Sequence, residues 1–253
     1  MAMNELALET RGLSKNFGAL QVARAIDFRL ERGARRALIG PNGAGKTTFV
    51  NLITGVLRPS AGAVLLRGED VTHRSQIERA RRGIARTFQI NQLFRGLSVL
   101  ENVCLAVGER TGACNNLWRA AGARPEVVDE SIGVLEALRL QDDALRPVGE
   151  LPYGRQRLVE LAIALAQRPK VLLLDEPAAG VPSAESHIIL EVFERLPQDI
   201  AVLIIEHDMD VVFRFARSIT VLVAGAILTE GAPRDIAADE RVRALYLGEH
   251  AHG

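Results

Sequence analysis

Residues 36–48 read Arg36-Ala-Leu-Ile39-Gly40-Pro41-Asn42-Gly43-Ala44-Gly45-Lys46-Thr47-Thr48. A short apolar run enters a glycine-rich turn, and the turn passes into a segment with helical spacing, Lys46 to Val56, which ends near Pro59. Gly40 to Thr47 satisfies G-x-x-x-x-G-K-[ST] in the context that gives the pattern meaning, a strand before it and a helix after it. Glycines let backbone N–H groups converge on phosphate oxygens, and the helix N-terminus adds its positive dipole end. Lys46 can then reach β- and γ-phosphates, and the Thr47 hydroxyl can join the shell of Mg²⁺. Residues 40–48 are therefore the expected binding set for a nucleoside triphosphate.

A companion stretch follows at Val171-Leu-Leu-Leu-Asp175-Glu176. The apolar run predicts a buried strand that delivers Asp175 to its C-terminal end, where a carboxylate can hold the metal through water. Glu176 then stands where a base or water-orienting group is needed. Ala201-Val-Leu-Ile-Ile205 is a second such run, and His207 follows it. An imidazole there can bond a γ-phosphate oxygen or orient the attacking water. Gln89 follows Ile84 to Phe88, and its amide can contact Mg²⁺ or that water.

Outward from these stretches, the chain reads as an α/β core interrupted by a helical insert. Leu6 to Leu13 and Val22 to Leu30 alternate like half-buried antiparallel strands, and Gly62 to Arg67 returns as another. Runs of four or five apolar residues at 171–174 and 201–205, separated by a helical pattern, predict central parallel strands buried on both faces. Leu97 to Val107 and Val127 to Leu140 are the clearest helices of the insert. Ile219 to Glu230 resembles a hairpin turning at Ala224-Gly225, with a helix starting near Pro233. The expected division is a core of 1–88 and 157–253 around a helical unit of 89–156.

Composition narrows the classes further. Thirty-one basic against 31 acidic side chains in 253 residues give no general electrostatic case for nucleic acid. The two cysteines, Cys104 and Cys114, form no C-x-x-C pair, which argues against a zinc site or a disulfide framework and for reduced thiols. The longest apolar-leaning stretch, Ile219 to Leu228, is far short of the ~20 residues a membrane-spanning helix needs.

Taken in order and at their spacing, the P-loop, Gln89, residues 151–156, Asp175-Glu176 and His207 make the chain resemble the nucleotide-binding subunit of ATP-binding-cassette (ABC) transporters. That resemblance spans essentially the whole sequence. It implies a RecA-like P-loop ATPase core with an N-terminal antiparallel β subdomain and an inserted α-helical signature subdomain. It also implies ATP and Mg²⁺ as cofactors, and Phe17 as an aromatic stacked on the adenine, although Phe17 could equally be an edge-strand residue. In this family the signature of one subunit closes over the P-loop nucleotide of another.

Here the family's Leu-Ser-Gly-Gly-Gln is Leu151-Pro152-Tyr153-Gly154-Arg155, followed by Gln156. Pro152 supplies neither a serine hydroxyl nor an N–H to the γ-phosphate. One lost charge-assisted hydrogen bond costs about 1.5–3 kcal/mol. Gly154 and the helix that follows can still present a positive dipole end to phosphate, and Arg155 either adds charge there or faces solvent. Ala179-Gly180-Val181-Pro182 stands where the family has Ser-Ala-Leu-Asp, which weakens the expected communication between the two sites. Leu-x-Tyr-Gly-x-Gln, Arg86-Thr-Phe-Gln89, Asp175-Glu-Pro-Ala-Ala-Gly180, Ile205-Glu-His-Asp-Met209 and Tyr246-Leu-Gly-Glu249 resemble the branched-chain amino acid uptake branch, whose urea, amide and aromatic-acid relatives share much of the pattern.

The resemblance further implies a second ATP-binding subunit, identical or different, two transmembrane permeases and an external solute-binding protein. No nucleic acid is expected, and the place expected is the cytoplasmic face of the plasma membrane. Leu93, Phe94 and Leu97 either receive a permease helix or belong to the core of the insert. Arg79, Arg81, Arg82 and Arg86 form a basic cluster that reads as a solvated helix face rather than as a contact to a permease or acidic lipid headgroups. The rival classes are a non-transport ABC ATPase acting on DNA or ribosomes, a regulatory nucleotide-binding module with weak hydrolysis, and an unrelated P-loop kinase.

Overall fold

A computed structural model describes residues 5–87, 93–113, 124–177, 179–181 and 191–249. Two sheets share the chain. β1 (Leu6–Phe17), β2 (Leu20–Glu31), β4 (Ala61–Leu66) and the short β5 (Glu69–Asp70) form an antiparallel sheet in the order β2-β1-β4-β5. β3 (Arg35–Ile39), β6 (Ile84–Arg86), β7 (Val171–Asp175), β8 (Ala201–Ile205), β9 (Ser218–Val223) and β10 (Ala226–Gly231) form the second, in the order β10-β9-β3-β8-β7-β6. All its pairs are parallel except the β9–β10 hairpin, which turns at Ala224-Gly225 as the sequence predicts. The α/β class with a separate N-terminal antiparallel sheet is thus the one expected.

Period-two alternation divides the core between the faces of the parallel sheet. Ala37, Ile39, Leu172, Leu174, Val202 and Ile204 face one apolar cluster, shared with the helical insert. Leu38, Val171, Leu173, Ala201, Leu203 and Ile205 face the other, shared with the antiparallel sheet. Every residue of β3, β7 and β8 is buried, which is why Val171–Leu174 and Ala201–Ile205 read as unbroken apolar runs; β3 also buries Arg35 and Arg36. On the second side α1 (Lys46–Thr54) seats Phe49 edge-on against Phe28, with ring centres 5.4 Å apart.

Helix ends depart from the sequence expectation for local reasons. α1 stops at Thr54, short of the expected Val56, because Gly55 takes a left-handed φ of 82°. The first insert helix, α3 (Val99–Thr111), starts after Ser98, whose side chain and that of Glu101 close a capping box; α2 (Gln76–Arg81) does the same with Ser75 and Glu78. The serine amides hold both glutamate carboxyls below the usual range. α4 (Pro125–Ala137) opens on its proline. α5 (Tyr153–Ala166) is continuous through Arg157, so the expected cut at 156/157 falls inside one helix. α6 (Met209–Phe215), α7 (Pro233–Ala238) and α8 (Glu240–Glu249) follow β8, β10 and α7 in turn.

The expected solvated arginine face is overturned. Arg79 is 1% exposed: it donates to the carbonyls of Leu52 and Ile53 at 2.7 Å, to Thr72 O at 2.7 Å and to Arg74 O at 3.1 Å. It thereby caps the C-terminal carbonyls of α1, whose negative dipole end favours a cation. Only Arg81 of the four is largely exposed, in a pair with Glu109. Arg86 turns toward β7, as described below.

Candidate functional site

β3, β8 and β7 run parallel, so their C-terminal ends share one sheet edge, the position where open α/β sheets bind ligands. Ile205 pairs in register with both Leu38 and Asp175. Adjacent strands lie about 4.8 Å apart, so the loop after β3 and the carboxylate ending β7 face one another across a single strand. Lys46, at the start of the helix that follows β3, and Asp175 and Glu176, at the end of β7, therefore lie at the same edge of the sheet.

The loop after β3 is shaped by what touches it. Gly40 has φ 152°, and a Cβ there would stand 2.0 Å from Leu222 O. Gly225 of the β9–β10 turn donates its N–H to Ala44 O at 2.9 Å and accepts from Arg24 N at 2.7 Å. The turn therefore bridges the loop to β2, and a Cβ on Gly225 would meet Val22 O at 2.3 Å. Gly45, left-handed at 101°, starts α1, and Phe49 N closes the first helical turn on Gly45 O. Lys46 Nζ donates to Gly40 O at 2.5 Å and Pro41 O at 3.0 Å, inside the curl of the loop. Ala44 is buried, Thr47 is exposed at the helix start, Thr48 is half-buried, and Asn42 and Gly43 form the exposed crest. Phe17 lies 47% exposed at the end of β1, with Lys15 Nζ 5.1 Å from its ring centre.

At the other side, Asp175 is 7% exposed and pairs with Arg86. Glu176 adopts φ 46°, a region unfavourable for a residue with a Cβ. A bond from its N–H to Ile205 O at 2.9 Å holds it there. His207 Nδ1 stands 3.7 Å from Glu176 Oε1. Glu206, 2% exposed, accepts from the N–H of His207 at 3.1 Å and of Asp208 at 3.4 Å, and so fixes the turn that presents the imidazole. Sequence reading passed over Glu206. An acid between an apolar strand and a histidine was the signal available. Gln89 lies outside the described residues, as do Pro182, Cys114 and Trp118; Thr87 N bonds Leu173 O at 3.0 Å, so the chain leaves β6 beside β7. Cys104 is a buried free thiol.

The stretch 151–156 is a helix start with a divided orientation. Leu151 and Gly154 are buried, and Gln156 turns inward to donate to Leu151 O at 2.8 Å. Pro152, the N-cap of α5, gives no side-chain bond. Arg155 neither points freely to solvent nor stands apart: it donates to Arg139 O at 2.6 Å and pairs with Asp143 at 3.4 Å. Tyr153, 39% exposed, lies under Arg157 and against Gly180, where a Cβ would come within 3.1 Å of its ring. Gly180 and Tyr153 therefore fit one another, and the loop after Glu176 touches the start of α5 directly.

A glycine-rich loop that starts a helix, at the same sheet edge as a buried aspartate followed by a glutamate and a histidine, defines a P-loop nucleotide hydrolase with a helical insert. The ABC transporter family model matches residues 23–179, and the model for the branched-chain amino acid ATP-binding cassette transporter matches 226–252. The probable branched-chain amino acid transport ATP-binding protein LivG of Archaeoglobus fulgidus is 36% identical over 246 residues, covering 95% of each chain. The high-affinity branched-chain amino acid transport ATP-binding protein BraF of Pseudomonas aeruginosa is 35% identical over 254 residues, covering 98% of this chain and all of its own. A crystal structure of the ADP conformation of an ATP-binding cassette of an ABC transporter superposes with a TM-score of 0.84 at 32% identity, covering 96% of this chain and 99% of that one. This chain belongs to the ABC transporter family, as an ATP-binding cassette with the RecA-like core and ATPase activity of that family. Among the described residues no helix is long and apolar enough to cross a membrane.

Proposed function

We propose that the chain is the ATPase subunit of an importer for branched-chain amino acids or related amide, urea or aromatic-acid solutes, held at the cytoplasmic face of the membrane by two permeases. The observation that carries the ATPase part is the shared edge of β3, β8 and β7, with Leu38, Ile205 and Asp175 in one register. The solute class rests on the relatives' names and on the match at 226–252. ATP-driven turnover of the chain, purified with its permeases and stimulated by leucine, isoleucine or valine over other solutes, tests it.

Residues 40–48 bind the phosphates, with Phe17 against the base. Among the described residues no three of His, Cys, Asp or Glu form a metal cage. A cation would take a Thr47 hydroxyl, phosphate oxygens and Asp175 through water, a hard-oxygen set suited to Mg²⁺, with Gln89 beside it. Mg²⁺ supplies charge neutralisation for the phosphoryl oxygens. Glu176 orients and deprotonates the attacking water, and His207 bonds the γ-phosphate. Two cassettes pair head to tail so that residues 151–156 of one cover the P-loop of the other. ATP stabilises that closed pair, and its hydrolysis releases it.

A departure in the signature yields an expected gain. Pro152→Ser restores an N-cap hydroxyl to α5, worth about 1 kcal/mol of stability. It also restores a donor toward the partner's γ-phosphate, and turnover is expected to rise by about 10- to 200-fold where that bond forms only in the transition state. Steady-state ATPase and melting temperature of the two proteins check both parts. A melting rise without a rate rise would leave the introduced hydroxyl as a cap only.

The permease contact is the part of the insert near Gln89 to Glu101, and Leu93 there also lines a groove of about 250 Å³ between α2, β6 and α5, with Ala80, Ala85, Ile163 and Ala164 among others. Leu93 is 9% exposed and belongs to the core, whereas Phe94 beside it is 62% exposed. Buried Asn102 clamps Phe94 by accepting from its N–H at 3.0 Å and donating to its carbonyl at 3.1 Å, so the ring is held outward. Phe94→Ala is expected to weaken rebinding to permease-containing vesicles roughly tenfold, with nucleotide affinity unchanged. Unaltered rebinding would place the permease contact elsewhere.

A further inference from the structure

We propose that Arg86 is a positioning residue that fixes Asp175 relative to the helix carrying Thr47, and thereby sets how strongly Mg²⁺ tightens nucleotide binding. The inference rests on the reading of Thr47 and Asp175 as the protein's donors to the metal. Arg86 ends β6, in register with Leu173 of β7. Its Nη2 donates to Asp175 Oδ2 at 2.5 Å, and its Nη1 donates to Asn51 Oδ1 at 2.6 Å. The guanidinium and the carboxylate side chains are 11% and 8% exposed.

A guanidinium is a rigid planar fork, so its two arms cannot be reoriented independently. One side chain thus ties together three elements: β6, which leads toward Gln89, β7, which ends in Asp175, and α1. Asn51 stands four residues after Thr47 on α1, on the same helical face. The hydroxyl and the carboxylate therefore keep their separation before any cation arrives. Burial matters here. Exposed ion pairs order little because water competes for both partners, whereas this pair is shielded and charge-assisted at both ends. Oδ2 is engaged by Arg86, which restrains the rotamer of the whole carboxylate. A carboxylate held in one rotamer does not have to be ordered when the metal's water shell forms on it.

Groups that orient metal-binding carboxylates typically cost 10–100-fold in metal affinity when removed. The test uses the full chain and ADP, whose dissociation constant is measured in EDTA and across an Mg²⁺ titration, with melting temperature in parallel. For Arg86→Met the expected result is an unchanged constant in EDTA and about 10- to 100-fold more Mg²⁺ for half of the tightening. Arg86→Lys keeps the charge but has one nitrogen for two acceptors, so it is expected to recover only part of the effect. Asn51→Ala removes the far arm alone, at a half-buried position, and is expected to shift the titration in the same direction by less. It keeps the proposal testable if Arg86→Met fails to fold.

Three results overturn the proposal. One is an unshifted Mg²⁺ titration in both Arg86→Met and Asn51→Ala. Another is an equal loss of ADP affinity in EDTA, which would mark a structural role. The third is tighter Mg²⁺ binding, which would make Arg86 a competitor of the metal. A natural chain that binds ADP with no response to Mg²⁺ would instead remove the reading of Thr47 and Asp175 on which the proposal stands.

Discussion

Glu176→Gln is expected to lower steady-state ATP turnover by about 10²–10⁴-fold, the usual worth of a positioned general base, while nucleotide-driven pairing of two cassettes persists. The substitution keeps the shape and volume of the side chain and removes its capacity to take a proton. Geometry argues that the position is built for the role. Glu176 sits at φ 46° immediately after a fully buried strand, and its N–H is locked to Ile205 O at 2.9 Å. Backbone strain of this kind costs of order 1–3 kcal/mol and persists only where surrounding bonds over-determine it. The carboxylate is 28% exposed and the turn carrying His207 is fixed by Glu206, so water and the γ-phosphate partner both have access. ATPase rate and size-exclusion elution with ATP are the two measurements. Unchanged turnover in Glu176→Gln would transfer the role of base to another group.

Much of the architecture was legible because it depends on local rules. Val171 to Leu174 and Ala201 to Ile205 are apolar at every position, and only a strand covered on both faces needs that. Their pairing as parallel neighbours follows. The glycine-rich loop was legible for the same reason: Gly40 and Gly45 occupy backbone conformations that side chains oppose. Arginine roles were not legible. Arg79, Arg81, Arg82 and Arg86 sit close together and look alike in sequence, yet one caps α1, one grips Asp175 and one is solvated. What separates them is which long-range carbonyl or carboxylate each meets, and periodicity carries no such information. The fit of Tyr153 on Gly180 was hidden in the same way, since two departures from the family pattern, read separately, gave only two losses.

That fit also bears on how the two halves of the mechanism are joined. In the proposed mechanism the loop after Glu176 and the start of α5 serve opposite ends of the site: one follows the hydrolytic acid, the other is offered to a partner's nucleotide. Tyr153 against Gly180 puts them in direct contact within one chain. In the head-to-tail pair proposed above, this contact is a route by which the loop after Glu176 and the residues offered to the neighbouring nucleotide act on one another, in a loop where the general family pattern relies on an aspartate in place of Pro182.

Lys46→Ala is expected to weaken ATP binding by roughly 10²–10⁴-fold. Lys46 Nζ already donates to two carbonyls of the loop, at 2.5 and 3.0 Å, so its stem is held across the mouth of the curl. Phosphate oxygens are better acceptors than neutral carbonyls, and charge-assisted bonds are about twice as strong. Two such bonds, to β- and γ-phosphates, at about 1.5–3 kcal/mol each give that range. Binding is not abolished, because the backbone N–H groups and the positive end of α1 remain, worth up to ~2 kcal/mol from the dipole. The loop itself should keep its shape, since Phe49 N on Gly45 O, Ala44 N on Pro41 O and Gly225 N on Ala44 O do not involve the lysine. The discriminating measurement is melting temperature with and without ATP. Without nucleotide the two proteins should melt alike; with ATP at about 100 times the natural dissociation constant, the natural chain gains about 2.7 kcal/mol, and Lys46→Ala at most about 0.4 kcal/mol by the same relation. Equal stabilisation of both would mean that the loop does not hold the triphosphate through this side chain.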